Sequence, residues 1–272
     1  MSDAPSRPTT PDTETPPTDT TADASSSHAT RPASADRSDR IPSGSVAFGD
    51  LTRAAYCPRQ LYYARQEPDR SIPDAQRSRI DLAFRYPDSV AASDADLVDR
   101  TIDVRPTVYR DRLRTLRDGG LRDRFGIPWR SLAIPDRTRA FLVGRSCHGI
   151  AHKVLSGTDA DDPPIPTFAS PGTPPDQGVW EPQTVRAVAI AKALAWEEER
   201  EIHRALVEYP AVGVVREVTL SVRTKAAYRR ALRTTRGIDG PPSRVSDDRC
   251  QPCEYRDQCG TETRSLRSRL GL

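Results

Sequence analysis

Near its C-terminal end the chain reads Arg249-Cys250-Gln251-Pro252-Cys253-Glu254-Tyr255-Arg256-Asp257-Gln258-Cys259-Gly260. Far upstream a second short run reads Tyr56-Cys57-Pro58-Arg59. The C-x2-C-x5-C spacing lets three thiolates converge on one centre from a compact loop. Cys57 would add a fourth and close the folded region like a clasp. Four thiolates suit an iron–sulfur cluster or a tetrahedral zinc equally, so spacing alone leaves both open.

Working outward, the cysteine count is 5 in 272 residues. Disulfide frameworks belong to short, secreted chains with even counts. No apolar signal core follows Met1, so metal ligation and a cytoplasmic location are the expectations. The leftover Cys147 is expected to be a small buried apolar residue. The longest apolar stretch, 188–196, is interrupted by Lys192, which argues against a membrane partner. Residues 1–44 are rich in Pro, Thr, Ser, Ala and Asp and are expected to form a disordered tail. Residues 45–272 are expected to form one domain. A formal net charge of +3 neither demands nor excludes nucleic acid, although the cations are nearly all arginines, which suit bidentate phosphate contacts.

Hydrophobic periodicity predicts the elements. Residues 50–66 read as helix with Asp50 as N-cap, broken in two by Pro58. Residues 74–100 read as helix interrupted at Pro87, and 107–116 as a helix ended by Gly119 and Gly120. Strands are expected at 140–144 and 149–155, with a short one at 165–169 that its prolines weaken. Residues 183–204 read as the strongest helix, with Glu197-Glu198-Glu199 as a solvated face. Strands at 203–209 and 212–222 and a helix at 223–236 follow. This order predicts an α/β domain with N-terminal helices and a mixed central sheet.

Leu51-Thr52-Arg53-Ala54-Ala55-Tyr56-Cys57-Pro58-Arg59-Gln60-Leu61-Tyr62-Tyr63 resembles the N-terminal signature of RecB-like nucleases that carry an iron–sulfur cluster. The small CRISPR-adaptation exonucleases, with their role in antiviral defence, are the nearest members. The resemblance implies a restriction-endonuclease-type PD-(D/E)XK core. It also implies a 4Fe-4S cluster on Cys57, Cys250, Cys253 and Cys259, and DNA as substrate beside a CRISPR-adaptation or DNA-repair partner. It further implies Mg2+ or Mn2+ held by an Asp in a G-x-x-D turn and a Glu in an E-x-K strand, with a Gln opening the next helix. Those residues are not found here. Cys147 or His148 stands in place of the Asp, after Gly144. Phe168 and Ser170 stand in place of Glu and Lys. Val188, or Gln183 in a shifted register, stands at the Gln position. A nuclease draws much of its rate from its ion, so losing the carboxylates should leave little activity.

A rebuilt metal site is the alternative. His148 and His152, spaced i, i+4 in a strand, would share a face near Asp159, Asp161 and Asp162; the plainer reading is a pair of half-buried histidines and a solvated turn. Arg223, Lys225, Arg229, Arg230, Arg233 and Arg236 form a basic helical stripe that, with Arg59, is the candidate DNA surface. A metal-stabilised interaction scaffold without DNA binding is the competing reading of the same fold.

Overall fold

Side chains along Arg204–Tyr209 alternate between two buried faces. Ala205, Val207 and Tyr209 join one core, while Leu206 joins another. Both faces of the sheet are therefore covered by helices, as mixed sheets of this kind require. The computed structural model describes residues 40–67, 71–157, 159, 161–243, 245 and 247–261. Most of the tail expected to be disordered, residues 1–39, lies outside them.

The sheet comprises β1 (Val46–Ala47), β2 (Arg137–Val143), β3 (Cys147–Leu155), β4 (Ile165–Ala169), β5 (Arg204–Tyr209) and β6 (Val214–Thr219). The path is β1-β3-β4-β5-β6, with β2 paired to β3 off that path. β4 and β5 run parallel, joined by the crossover helix α9 described below. β2–β3, β3–β4 and β5–β6 are antiparallel, and β1–β3 is parallel. The mixed α/β architecture matches the expectation.

Twelve described helices surround this sheet. α1 (Phe48–Tyr56) and α2 (Pro58–Ala64) are split at Cys57, as Pro58 requires. The helix begins before Asp50, at Phe48, so Asp50 lies in the first turn and is not the cap. The region 74–100 is four short pieces. These are α3 (Asp74–Asp81), a 3-10 turn at Leu82–Phe84, α4 (Tyr86–Ala91) and α5 (Asp94–Val98). Pro87 sits in the first turn of α4, where proline is well accommodated, and does not interrupt it. A second break arises because Ser93 and Asp96 form a reciprocal capping box that starts α5. α6 (Pro106–Thr115) runs into a π-type turn at Leu116–Gly120, and α7 (Leu121–Phe125) and α8 (Trp129–Ala133) follow. The two glycines thus kink the chain there without ending its helical course.

α9 (Glu181–Glu197) is buried along 187–191 without a break, as a helix apolar all round must be. It stops earlier than expected because Glu199 adopts φ 51. Glu197 is only partly solvated: its carboxylate accepts from Val143 N–H at 2.8 Å and pairs with Arg137 at 3.2 Å. α10 (Val222–Arg236) begins on a Ser221 cap and ends at Gly237. α11 (Asp247–Cys250) and α12 (Arg256–Thr261) carry the C-terminal cysteine run. α1, α9 and α10 cover one face of the sheet, and α3 to α8 cover the other. No helix among the described residues is long and apolar enough to cross a membrane.

The second face holds a fully buried ion pair. Lys153 Nζ of β3 donates to Glu208 Oε2 of β5 at 2.8 Å and to the Leu132 carbonyl at 3.0 Å. Thr167 of β4, between them, donates to Glu208 Oε1. Lys153 also lies 4.7 Å from the Tyr86 ring centroid. One side chain from each of three strands is thereby joined to the helical layer. Removing one partner strands a buried charge, a cost of about 3–5 kcal/mol, whereas removing both is far milder. Lys153→Met is therefore expected to lower the free energy of urea unfolding by that amount. The double variant Lys153→Met/Glu208→Leu should recover most of the loss; additive losses would refute the pairing.

Candidate functional site

The four cysteines expected to act together lie around one pocket. Cys57, Cys250, Cys253 and Cys259 line it, with Arg59, Arg249, Arg256, Tyr63 and Tyr255. Cys57 is presented by the break between α1 and α2, and the other three by the turns around α11 and α12. Two sets of contacts bring these distant segments together. Tyr56 OH donates to the Arg249 carbonyl at 2.7 Å, and Arg249 Nη1 returns a bond to the Tyr56 carbonyl at 2.6 Å. Tyr255 stacks on Tyr63 at 5.7 Å and donates to Glu67 at 2.9 Å. Burial is the main cause that raises the Cys253 thiol pKa, with Cys57, Glu254 and Cys250 adding to it. Among the described residues, no group of three or more His, Cys, Asp or Glu side chains stands in metal-holding geometry. The donor chemistry fits a tetrathiolate centre, but the thiols border the pocket without closing on a point. Metal binding would supply the free energy that draws them in.

Cys147 behaves as expected of a buried apolar residue. It is 1 % exposed, and Tyr228 OH donates to its Sγ at 3.4 Å.

Among the described residues, His148 and His152 belong to no group of three or more potential metal ligands. His148 is half-buried, with Nδ1 at 3.0 Å from Ser45 Oγ and its ring near Phe141. His152 is buried, with its ring near Phe84, and its Nδ1 accepts from Ala169 N–H at 2.7 Å. The acidic loop is held elsewhere: Asp162 accepts from Asp159 N–H at 3.1 Å, and Arg200 Nη2 donates to the Asp161 carbonyl. The two imidazoles thus have separate partners, and no carboxylate from the loop joins them.

The reason lies in how β3 is paired. On one edge, β1 holds Cys147 and His148 while β4 holds Lys153 to Leu155. Residues 149–152 fall between, with no strand partner on that edge among the described residues. Gly149 has φ 149, and a Cβ there would meet the Phe48 ring at 2.6 Å, so only glycine allows this close approach. His152 fills the interval by accepting the backbone N–H that a strand would otherwise take.

Around the same interval, Phe168 and Ser170 are buried at 2 % and 4 % exposure. Gln183 Nε2 donates to Ser170 Oγ at 2.6 Å, and Tyr209 OH donates to Gln183 Oε1 at 2.5 Å. Gln183 therefore does reach the strand ends, whereas Val188 lies in the apolar core. The charges nearest His152 are cationic. Burial first, then Arg186, Arg139 and Lys153, push its pKa down to about 3. Arg186 and the Lys153–Glu208 pair were missed in the sequence. The available signal was a lone charge inside an apolar run: Arg186 within 185–191, Lys153 within 151–155 and Glu208 within 205–209.

On α10, Ala227, Tyr228, Ala231 and Thr235 face inward. Arg223, Arg229, Arg230, Arg233 and Arg236 are exposed, and Lys225 is half-buried. Arg230 pairs with Glu181 at 2.6 Å, and Arg236 donates to the Gly44 carbonyl at 3.1 Å. A groove between α1 and α10, lined by Pro58, Ala227, Arg230, Val245 and Arg249, adjoins the cysteine pocket through Val245 and Arg249. Basic helix and thiol pocket thus share one side of the molecule.

No known protein family matches this chain, and no curated protein matches it either.

His152 makes stability depend on pH in a defined direction. Its folded pKa lies below its ordinary value near 6.5. The stabilisation is complete above about pH 6.5 and declines toward pH 3, by about 1.4 kcal/mol per pH unit. The unfolding free energy of His152→Phe should lack this component. The gap between wild type and variant should therefore narrow as pH falls from about 7 to about 4; a constant gap would contradict the assignment.

Proposed function

We propose that this chain is a RecB-like domain that holds a 4Fe-4S cluster on Cys57, Cys250, Cys253 and Cys259 and binds DNA without metal-dependent nuclease activity. The observation that carries the reading is that cysteines from opposite ends of the described fold line one pocket. A mixed sheet with a crossover helix between β4 and β5 agrees with a restriction-endonuclease-type core. Zinc satisfies the same donor set, and elemental analysis separates the two.

The case against hydrolysis is electrostatic. Magnesium and manganese need oxygen ligands. Cys147 and His148, after Gly144, stand where the resembled family has a carboxylate, and neither supplies an oxygen ligand. Phe168 and Ser170 replace the Glu and Lys, and Arg186 and Arg139 bring positive charge to the same interval. A divalent cation would meet repulsion from these guanidinium groups. The bound cluster would supply structural closure, joining the α1–α2 break to the C-terminal turns. A CRISPR-adaptation or repair protein is the partner class this reading implies.

DNA binding is assigned to α10 and Arg59, which border the same groove system as the thiols. The scaffold reading draws support from Glu181 and Gly44, which engage Arg230 and Arg236.

Anaerobic purification is expected to yield a brown protein containing iron and sulfide. Cys253→Ala should be colourless and poorly soluble; a soluble brown variant with native melting would refute the ligand set. In fluorescence anisotropy, DNA affinity should fall steeply with salt. Replacing Lys225, Arg229 and Arg230 together by alanine should reduce the log–log slope by about 2. A flat salt response in the wild type would favour the scaffold reading. Rapid Mg2+- or Mn2+-dependent DNA degradation, abolished by changes within 144–170, would overturn the non-catalytic assignment.

A further inference from the structure

Arg186 is the only polar residue in the run 185–191 of α9. Its guanidinium carbon lies 4.8 Å from the centroid of the Phe168 ring. The side chain is half-buried, among the described residues it has no hydrogen-bond or ion-pair partner, and its Nε is buried without an acceptor. Arginines drawn into a fold are ordinarily paired, because an unpaired charge pays a desolvation cost with nothing to offset it. Its charged neighbours already have partners. Arg139 pairs with Asp81 at 2.6 Å and Arg53 with Asp50 at 3.6 Å. Burial, with Arg53 adding to it, lowers the Arg186 pKa to about 10, so the group stays charged at neutral pH.

A second donor lies beside it. His152 Nδ1 accepts a backbone N–H at 2.7 Å, so the proton of the neutral ring sits on Nε2. That N–H has no acceptor among the described residues. Both donors border the interval of β3 that lacks a strand partner, one from the strand and one from the helix above Phe168.

We propose that Arg186, assisted by His152 Nε2–H, is the receptor for a phosphate-type oxyanion at the unpaired interval of β3. The planar fork of an arginine matches two oxygens of a phosphate, and stacking on Phe168 holds the fork in a fixed plane. A phosphodiester of a nucleic-acid backbone and free phosphate share this chemistry. Arg186 and His152 also figure in the non-catalytic assignment above, but none of the cysteines and no residue of α10 is involved, so failure here leaves the cluster and the α10 surface untouched.

Thermal unfolding at constant ionic strength, with inorganic phosphate replacing chloride, tests it. Phosphate should raise the wild-type Tm by about 3–6 °C at ten times the dissociation constant. Arg186→Met should lose this response and, in chloride alone, melt at or above the wild-type Tm, because an unpaired charge has become an apolar side chain. Arg186→Lys should keep a reduced response, since charge remains and the fork is lost. A short oligothymidylate then separates the sources. If the backbone is the ligand, its affinity falls about tenfold in Arg186→Met and phosphate competes with it. If free phosphate is the ligand, the oligonucleotide binds both proteins equally while the phosphate response persists. No wild-type response, or an equal response in wild type and Arg186→Met, overturns the proposal. So does an Arg186→Met protein that melts below wild type in both buffers, which would make Arg186 a packing residue.

Discussion

One edge of β3 is divided between two partners, and much of the molecule follows from that division. β1 takes the beginning of the edge and β4 takes the end. A continuous partner would have covered the middle and left nothing to explain. Phe48 presses against Gly149 in the interval, and His152 satisfies a backbone donor of β4 with its ring. A buried backbone N–H must find an acceptor, so the imidazole is held neutral and in one tautomer. The same demand that stabilises the fold removes His152 from the pool of metal ligands.

Just beyond this interval, the Lys153–Glu208 pair ties β3, β4 and β5 to the helical layer. It is buried on all sides and reached by no solvent. Such pairs add little net stability over apolar packing, but they penalise any register that leaves one charge alone. The pair therefore constrains how the sheet is assembled more than how firmly it holds. α1, α9 and α10 pack on the opposite face through a mainly apolar core.

The C-terminal turns dock by a third device. The side chains of Tyr56 and Arg249 each donate to the other's backbone carbonyl, and Tyr63 and Tyr255 stack. These contacts place the thiols around one pocket before any ion is considered. The arginine-bearing face of α10 lies on the same side because α10 packs directly on α1.

Much of this was legible in the chain. The cysteine spacings grouped the residues that line one pocket, Pro58 announced the break that presents Cys57, and apolar periodicity announced the sheet and the α9 and α10 helices. These are local signals: a ring that cannot donate, a repeat matched to a helix or strand, ligands a few residues apart. Other features were hidden because they depend on which residues meet across the fold. The Ser93–Asp96 box was local and overlooked, but Glu197 turning inward to Val143 was not local at all. Neither the separation of His148 from His152 nor the convergence of cations on the β3 interval is written in any spacing. A side chain's charge can be read from sequence; whether it is paired depends on the neighbour that packing delivers, and that is settled only when strands far apart in the chain come into register.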